Sequence, residues 1–236
     1  MNYAVILSGG IGTRMRDDGF PKQYLKVQNK PILIYTLEKF EACKSIDKIV
    51  VVAADEWKDT IYGWKNTYGI SKLLDVTHSG GTRQESIQNG LKVCVGSRHK
   101  NDDNVIIHDA VRPLVSTDLI TSCLNALDDY EGCMPILPLN DTVYMSTNGT
   151  EISQLLDRNL LFAGQSPEAF RLWKYYEINC NTNVEELKNI HGTTELAYKN
   201  NLKIKLVKGE DTNFKLTTPA DLQRFEMIIG ESNESL

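Results

Sequence analysis

The sequence predicts an α/β fold: a mostly parallel sheet with helices on both faces and a protruding β-arm. Three observations point there: short β-branched apolar runs of strand length, helical stretches alternating with them, and one mid-chain segment patterned as a hairpin. The 236 residues can bury a large core without covalent staples, and 24% charged against 41% hydrophobic residues is ordinary for a globular domain.

Tyr3 to Leu7 and Lys48 to Ala53 are apolar runs ending at polar or glycine residues, the pattern of buried parallel strands. Between them, after Pro31, Leu33, Leu37 and Phe40 recur at i, i+4, i+7 and predict a helix. Ile87, Gly90, Leu91, Cys94 and Val95 form one apolar stripe of a second helix. Val105-Ile106-Ile107 is a further buried strand, and after Pro113 a helix opens at Ser116 or Thr117 with Leu119, Ile120, Cys123, Leu124 and Leu127 inward. Thr142 to Ser146 and Glu151 to Ser153 flank Asn148-Gly149, a turn pair tolerant of positive φ, so residues 139–158 are expected to form the arm. Lys203 to Val207 is the last strand. The last helix is capped at Thr218, with Pro219 at its first position, Asp221 completing the cap, and Leu222, Phe225 and Ile229 inward. One domain over residues 1–230 is expected, followed by a frayed tail at 231–236.

Lys plus Arg number 26 against 31 Asp plus Glu, a net charge of -5, which excludes a general electrostatic grip on nucleic acid or acidic membrane. Any anion site must be local. The five cysteines are odd in number and lack metal-ligand spacing, so they read as reduced thiols. The first residues carry no basic region of a signal peptide and no run is long enough to span a bilayer, so a cytoplasmic location is expected.

Three motifs carry the chemistry. Ser8-Gly9-Gly10-Ile11-Gly12-Thr13-Arg14 follows the first strand, with Pro21-Lys22 after it: backbone N–H groups and two cations able to converge on a polyphosphate. A tight turn with solvated basic residues has the same appearance, and neither a dinucleotide fingerprint nor a Walker loop fits. Gly80-Gly81-Thr82-Arg83 leads through Ser86 into the second helix, offering donors to a nucleotide or simply capping that helix. In His108-Asp109-Ala110-Val111-Arg112-Pro113 an acid stands at the carboxyl end of a buried strand, the edge where open α/β sheets bind ligands. Asp109 suits a divalent metal and Arg112 a phosphate, or the two form a plain salt bridge; His108 reads as structural.

These elements, in this order and over nearly the whole chain, resemble the 2-C-methyl-D-erythritol 4-phosphate cytidylyltransferase family and its ribitol 5-phosphate relatives. His108 to Pro113 is similar to its HDA-x-RP motif, Asp141-Thr142 to its DT, Arg158 and Gln165-Ser166-Pro167 to its Arg and QTP, Thr193 to its substrate-binding threonine, and Asn213 to Pro219 to its N-I-K-x-T-x-P. The resemblance implies a Rossmann-like nucleotidyltransferase fold, with CTP and a polyol phosphate as substrates, Mg²⁺ as cofactor, and a homodimer built by exchanging the arms. It implies Arg14 and Lys22 on the triphosphate and Lys215 on the α-phosphate or the attacking group. Ser8, Gly9, Gly10, Gly12, Gly81, Arg83, Ser86, Asp109 and Ala110 are then expected around CTP, with Asp109 on Mg²⁺. Arg112, Thr142, Arg158, Ser166 and Thr193 are expected around the polyol phosphate, Thr142 and Arg158 reaching the neighbour's site. Three positions depart from the pattern: the usual QTPQ reads Gln165-Ser166-Pro167-Glu168, serine keeping the hydroxyl, and the acid pair that often follows the threonine reads Thr194-Glu195. A sugar-1-phosphate nucleotidyltransferase using another NTP shares the glycine-rich loop, and a nucleotide-binding dimer without turnover is the alternative from another class.

Overall fold

Along β1 (Asn2–Leu7) successive side chains point to opposite faces: Ala4 and Ile6 join one apolar cluster, Tyr3 and Val5 another. Burial on both faces is why the run reads as continuously apolar. The computed structural model describes residues 1–10, 20–96 and 102–234. Among them β1 lies near the middle of an eight-stranded sheet.

After β1 come a small ribbon, β2 (Lys26–Val27) and β3 (Lys30–Pro31), then α1 (Ile32–Ala42), β4 (Lys48–Ala53), α2 (Lys58–Tyr68), β5 (Leu73–His78), α3 (Arg83–Gly96), β6 (Asn104–Asp109) and α4 (Thr117–Asn125). The second half holds β7 (Gly132–Pro138), β8 (Val143–Met145), β9 (Gln154–Leu156), β10 (Phe162–Gly164), β11 (Glu168–Arg171), α5 (Leu172–Asn181), α6 (Val184–Lys188), α7 (Thr193–Lys199), β12 (Ile204–Lys208) and α8 (Pro219–Glu234). The sheet order is β10-β7-β11-β6-β1-β4-β5, with β12 also paired to β7. β6, β1, β4 and β5 are mutually parallel, as expected, and β12 runs parallel to β7. β11 is antiparallel to both β6 and β7, and β10 is antiparallel to β7. The sheet is therefore mixed, still mostly parallel.

One face is covered by α1, α2 and α4 through Leu37, Phe40, Ile61, Ile120 and Cys123. The other is covered by α3, α5 and α7 through Ile87, Leu91, Cys94, Tyr175 and Ala197. Ser116 caps α4 by accepting from the Leu119 N–H, and α8 opens on Asp221 Oδ2, which accepts from the N–H groups and hydroxyls of Thr217 and Thr218. Leu222, Phe225 and Ile229 seat α8 in a satellite cluster with Val27, Ile32, Tyr35, Val111 and Leu216.

Two expectations change. α8 runs to Glu234, past the boundary expected at residue 230. The arm is a hairpin, but β8 and β9 pair only from Val143↔Leu156 to Met145↔Gln154, leaving residues 146–153 as its tip. Gly149 alone in that tip has positive φ, at 75°; Asn148 contributes through its side chain, accepting from the N–H groups of Thr150 and Glu151 at 2.9 and 3.0 Å. A side-chain-built turn is wider than the two-residue turn that Asn-Gly suggests.

Candidate active site

The carboxyl ends of β1, β4, β5 and β6 open on one cavity of about 650 Å³, within the range of small-molecule sites. This is the sheet edge predicted for ligand binding. Ser8, Gly9 and Gly10 leave β1 along its wall, held there by Gln23, whose Nε2 donates to Ser8 O at 2.6 Å and Gly10 O at 2.9 Å. Gly9 must be glycine: a Cβ there would lie 2.3 Å from Ser79 Cβ, so the turns after β1 and β5 touch backbone to side chain. Lys22 lines the same wall, while Gly12 and Arg14 lie outside the described residues.

The turn before α3 supplies the opposite wall. Glu85 Oε2 accepts from the Gly81 N–H at 2.7 Å and the Thr82 N–H at 3.3 Å, while the Glu85 N–H donates to Thr82 Oγ1. Ser86 Oγ accepts from the Gly80 N–H and donates to Thr82 O, both at 3.0 Å. Gly81 and Ser86 line the cavity, with their polar groups engaged in the helix cap. Ala110 is buried and is not among the residues lining the cavity; its N–H donates to Leu7 O and its carbonyl accepts from Thr36 Oγ1.

Asp109, at the last position of β6, is the electrostatic centre. Lys215 Nζ lies 3.1 Å from its Oδ2, Arg112 Nε 3.4 Å from the same oxygen, and Arg83 Nη2 3.4 Å from Oδ1. Burial alone would raise its pKa, but Lys215, Arg83 and Arg112 outweigh that and hold the carboxyl well below the usual range. Arg112 is steadied by donating to Asn213 O at 2.7 Å, and Lys215 by Leu216, whose N–H donates to Val111 O at 2.9 Å. Arg83 also faces Glu168 Oε1 at 3.7 Å. Thus Arg83, Arg112 and Lys215, separate in the chain, converge on one carboxylate.

His108 lies beneath this centre, fully buried. Its Nε2 donates to Arg112 O at 3.1 Å, because a carbonyl can only accept, so Nδ1 is left to accept from Ser166 Oγ at 3.1 Å. Ser166 in turn accepts from the Asp109 N–H at 3.3 Å. The Ser166 hydroxyl, expected near the acceptor, is buried at the cis Ser166–Pro167 bond and engaged with His108. Burial holds the His108 pKa at about 4. The imidazole is neutral when folded and charges first in the unfolded chain, so stability is full above about pH 6.5 and falls as pH drops toward 4, by about 3 kcal/mol. Urea titrations at pH 7 and pH 4.5 should show a clearly smaller loss in His108→Asn than in the parent; equal losses would refute this.

Thr193 is buried behind Glu168, its carbonyl accepting from Tyr175 OH and its hydroxyl without a partner among the described residues. Thr142 and Arg158 are exposed on the arm and line no part of their own chain's cavity. Sequence reasoning missed Gln23, the clamp of the glycine-rich turn; its place directly after Lys22 was the available signal.

Residues 2–231 match the model of the 2-C-methyl-D-erythritol 4-phosphate cytidylyltransferase family. The chain belongs to that family. Ribitol-5-phosphate cytidylyltransferases are 34% identical in Vibrio parahaemolyticus, over 100% of this chain and 98% of theirs, and 33% identical in Lacticaseibacillus paracasei, over 98% and 99%. The 2-C-methyl-D-erythritol 4-phosphate cytidylyltransferase structure from Francisella tularensis superposes with a TM-score of 0.79 at 28% identity, over 96% of this chain and 98% of that one. The 4-diphosphocytidyl-2C-methyl-D-erythritol synthase of Anaerococcus prevotii shares the fold, with a TM-score of 0.80 at 24% identity over 97% and 96%. This cytidylyltransferase is thus a CTP-dependent enzyme of polyol phosphates with the α/β nucleotidyltransferase fold expected. Its five cysteines form no disulfide, and among the described residues no helix is long and apolar enough to cross a membrane.

Proposed function

We propose that this cytidylyltransferase transfers CMP from CTP to ribitol 5-phosphate, releasing pyrophosphate, as a cytoplasmic homodimer. The convergence of Lys215, Arg83 and Arg112 on Asp109 at the cavity edge carries the chemical reading. Relatives named for ribitol 5-phosphate, 33% and 34% identical over essentially the whole chain, support the acceptor.

The acceptor's phosphate is mostly dianionic near neutral pH, since its second pKa is about 6, so it attacks without a general base. One of its oxygens bonds the α-phosphorus of CTP while the bond to the pyrophosphate oxygen breaks. The obstacle is bringing two anions together, and preorganised cations lower it most where charge builds. Lys215 is assigned to the α-phosphate and attacking oxygen, Arg14 and Lys22 to the triphosphate, and Arg112 to the acceptor phosphate. Ser8, Gly9 and Gly10 carry the nucleotide's near side.

Mg²⁺ fits this donor set in one manner. Among the described residues no cluster of three or more His, Cys, Asp or Glu side chains is placed to hold a metal ion. Asp109 is a single carboxylate among cations, and Mg²⁺ accepts such a site when substrate phosphates and water complete its shell. Bound there, it would supply Lewis-acid polarisation and a template for the triphosphate. Asp109 would hold it, and only together with CTP.

The arm supports the dimer. Tyr144, Met145, Ile152, Leu155, Leu160 and Phe162 expose apolar surface on and beside it, more than a free hairpin retains without a partner. Exchanged arms would carry Thr142 and Arg158 to the neighbour's acceptor.

Pyrophosphate release with CTP and Mg²⁺ tests the reading, with ribitol 5-phosphate and 2-C-methyl-erythritol 4-phosphate offered in parallel. Ribitol 5-phosphate is expected to have the higher kcat/KM by at least about tenfold, within the range that a methyl group or hydroxyl contact gives. A preference for the branched acceptor would reverse the assignment.

A further inference from the structure

Two of the departures from the family's pattern, Glu168 and Thr194, touch each other. Thr194 donates to Glu168 Oε2 with its N–H at 2.7 Å and its hydroxyl at 2.5 Å. Glu168 Oε1 faces Arg83 Nη2, which Asp109 shares. Glu168 is 7% exposed and sits at the first position of β11, opposite Ile107 and so beside the β6 end that carries Asp109. Gln84 Nε2 donates to Gly192 O at 3.1 Å and ties the start of α3 to the start of α7. Within this frame three buried polar atoms have no partner among the described residues: Arg83 Nη1, Gln84 Oε1 and Thr193 Oγ1.

Where the family pattern has an amide at 168 and an acid after the threonine, this chain has an acid at 168 and a hydroxyl at 194. A single carboxylate stands between the two positions either way, yet the donor and acceptor roles are exchanged, because a carboxylate only accepts. Thr194 occupies Oε2, so Oε1 is left to orient Arg83. Arg83 then has Nη1 free of a protein partner among the described residues. Arg83 lines the cavity, so a polyol hydroxyl set against its guanidinium would be matched, whereas a methyl branch in the same place would leave it unmatched.

We infer that Glu168 and Thr194 act as one positioning pair that aims Arg83 at a hydroxyl of the acceptor and so selects an unbranched polyol phosphate. The inference rests on the cytidylyltransferase reading and deepens it. Steady-state kinetics of the full-length enzyme with both acceptors should be compared for Glu168→Gln, Thr194→Asp and the double variant. Glu168→Gln is expected to raise the KM for ribitol 5-phosphate at least about tenfold while the KM for CTP stays within about twofold. Thr194→Asp alone sets two carboxylates face to face and should also impair acceptor binding. The double variant, with its acid moved to 194, should bind an acceptor better than either single variant, with preference moved toward the methyl-branched one. Equal changes in both KM values, an unchanged acceptor KM in Glu168→Gln, or a double variant no better than the singles would each overturn the inference while leaving the reaction assigned. If Glu168→Gln does not fold, Thr194→Val keeps the charge and removes one donor; an acceptor KM equal to the parent's would then overturn it. A parent enzyme inactive toward both acceptors would defeat the functional reading and this inference together.

Discussion

Replacing Lys215 by alanine is expected to lower kcat by about 10²- to 10³-fold, the loss typical of one preorganised electrostatic group. Its ammonium lies 3.1 Å from Asp109 Oδ2, and its side chain, 40% exposed, belongs to a residue lining the cavity, so truncation removes a charge from the site without opening the core. Asp109 keeps Arg83 and Arg112 as partners, so the fold should survive. Because the charge at the α-phosphorus grows only toward the transition state, kcat should fall far more than CTP affinity. Rapid-quench turnover with saturating CTP measures this directly. A variant that loses mainly CTP affinity would place Lys215 on the ground-state triphosphate.

Asp109→Asn has the second large effect, and its signature is different. The change leaves three cations, Arg83, Arg112 and Lys215, without their shared carboxylate, so CTP free of metal should bind at least as well as to the parent. Turnover should nevertheless fall roughly 10²-fold or more, since the group proposed to hold the metal against the triphosphate is gone. Calorimetric titration of CTP with and without Mg²⁺ distinguishes the two contributions: the parent should bind CTP more tightly with the ion, the variant should not. If Mg²⁺ enhances CTP binding equally in both, Asp109 is not its ligand.

The central strands were legible because burial on both faces forces a continuous β-branched run, as in Ile49-Val50-Val51-Val52. β7 was not: Gly132, Pro135 and Pro138 give it the look of a loop, and β12 supports it by pairing in parallel from Ile204 to Lys208. β11 is four residues with an acid and an arginine at its ends, and nothing local announces that it runs against its neighbours. α2 buries only Ile61, too little to print a stripe. In the site, the residues of each short motif were legible together. The contact of Glu168 with Arg83 and Thr194 was not, because three segments far apart in sequence meet only through the sheet.

Lys215 is carried by a strap of irregular chain between β12 and α8. Ladder pairing does not hold this strap. Gln165 exchanges hydrogen bonds with Glu210, Asn213 Nδ2 donates to Ser166 O, and Leu216 N–H reaches Val111 O. Segments secured in this way open at lower free energy than the sheet they lie on. Amide protons of residues 209–217 should therefore exchange with deuterium well before those of β1 and β6. On gentle heating the enzyme should fall silent while its circular dichroism is still that of the native sheet.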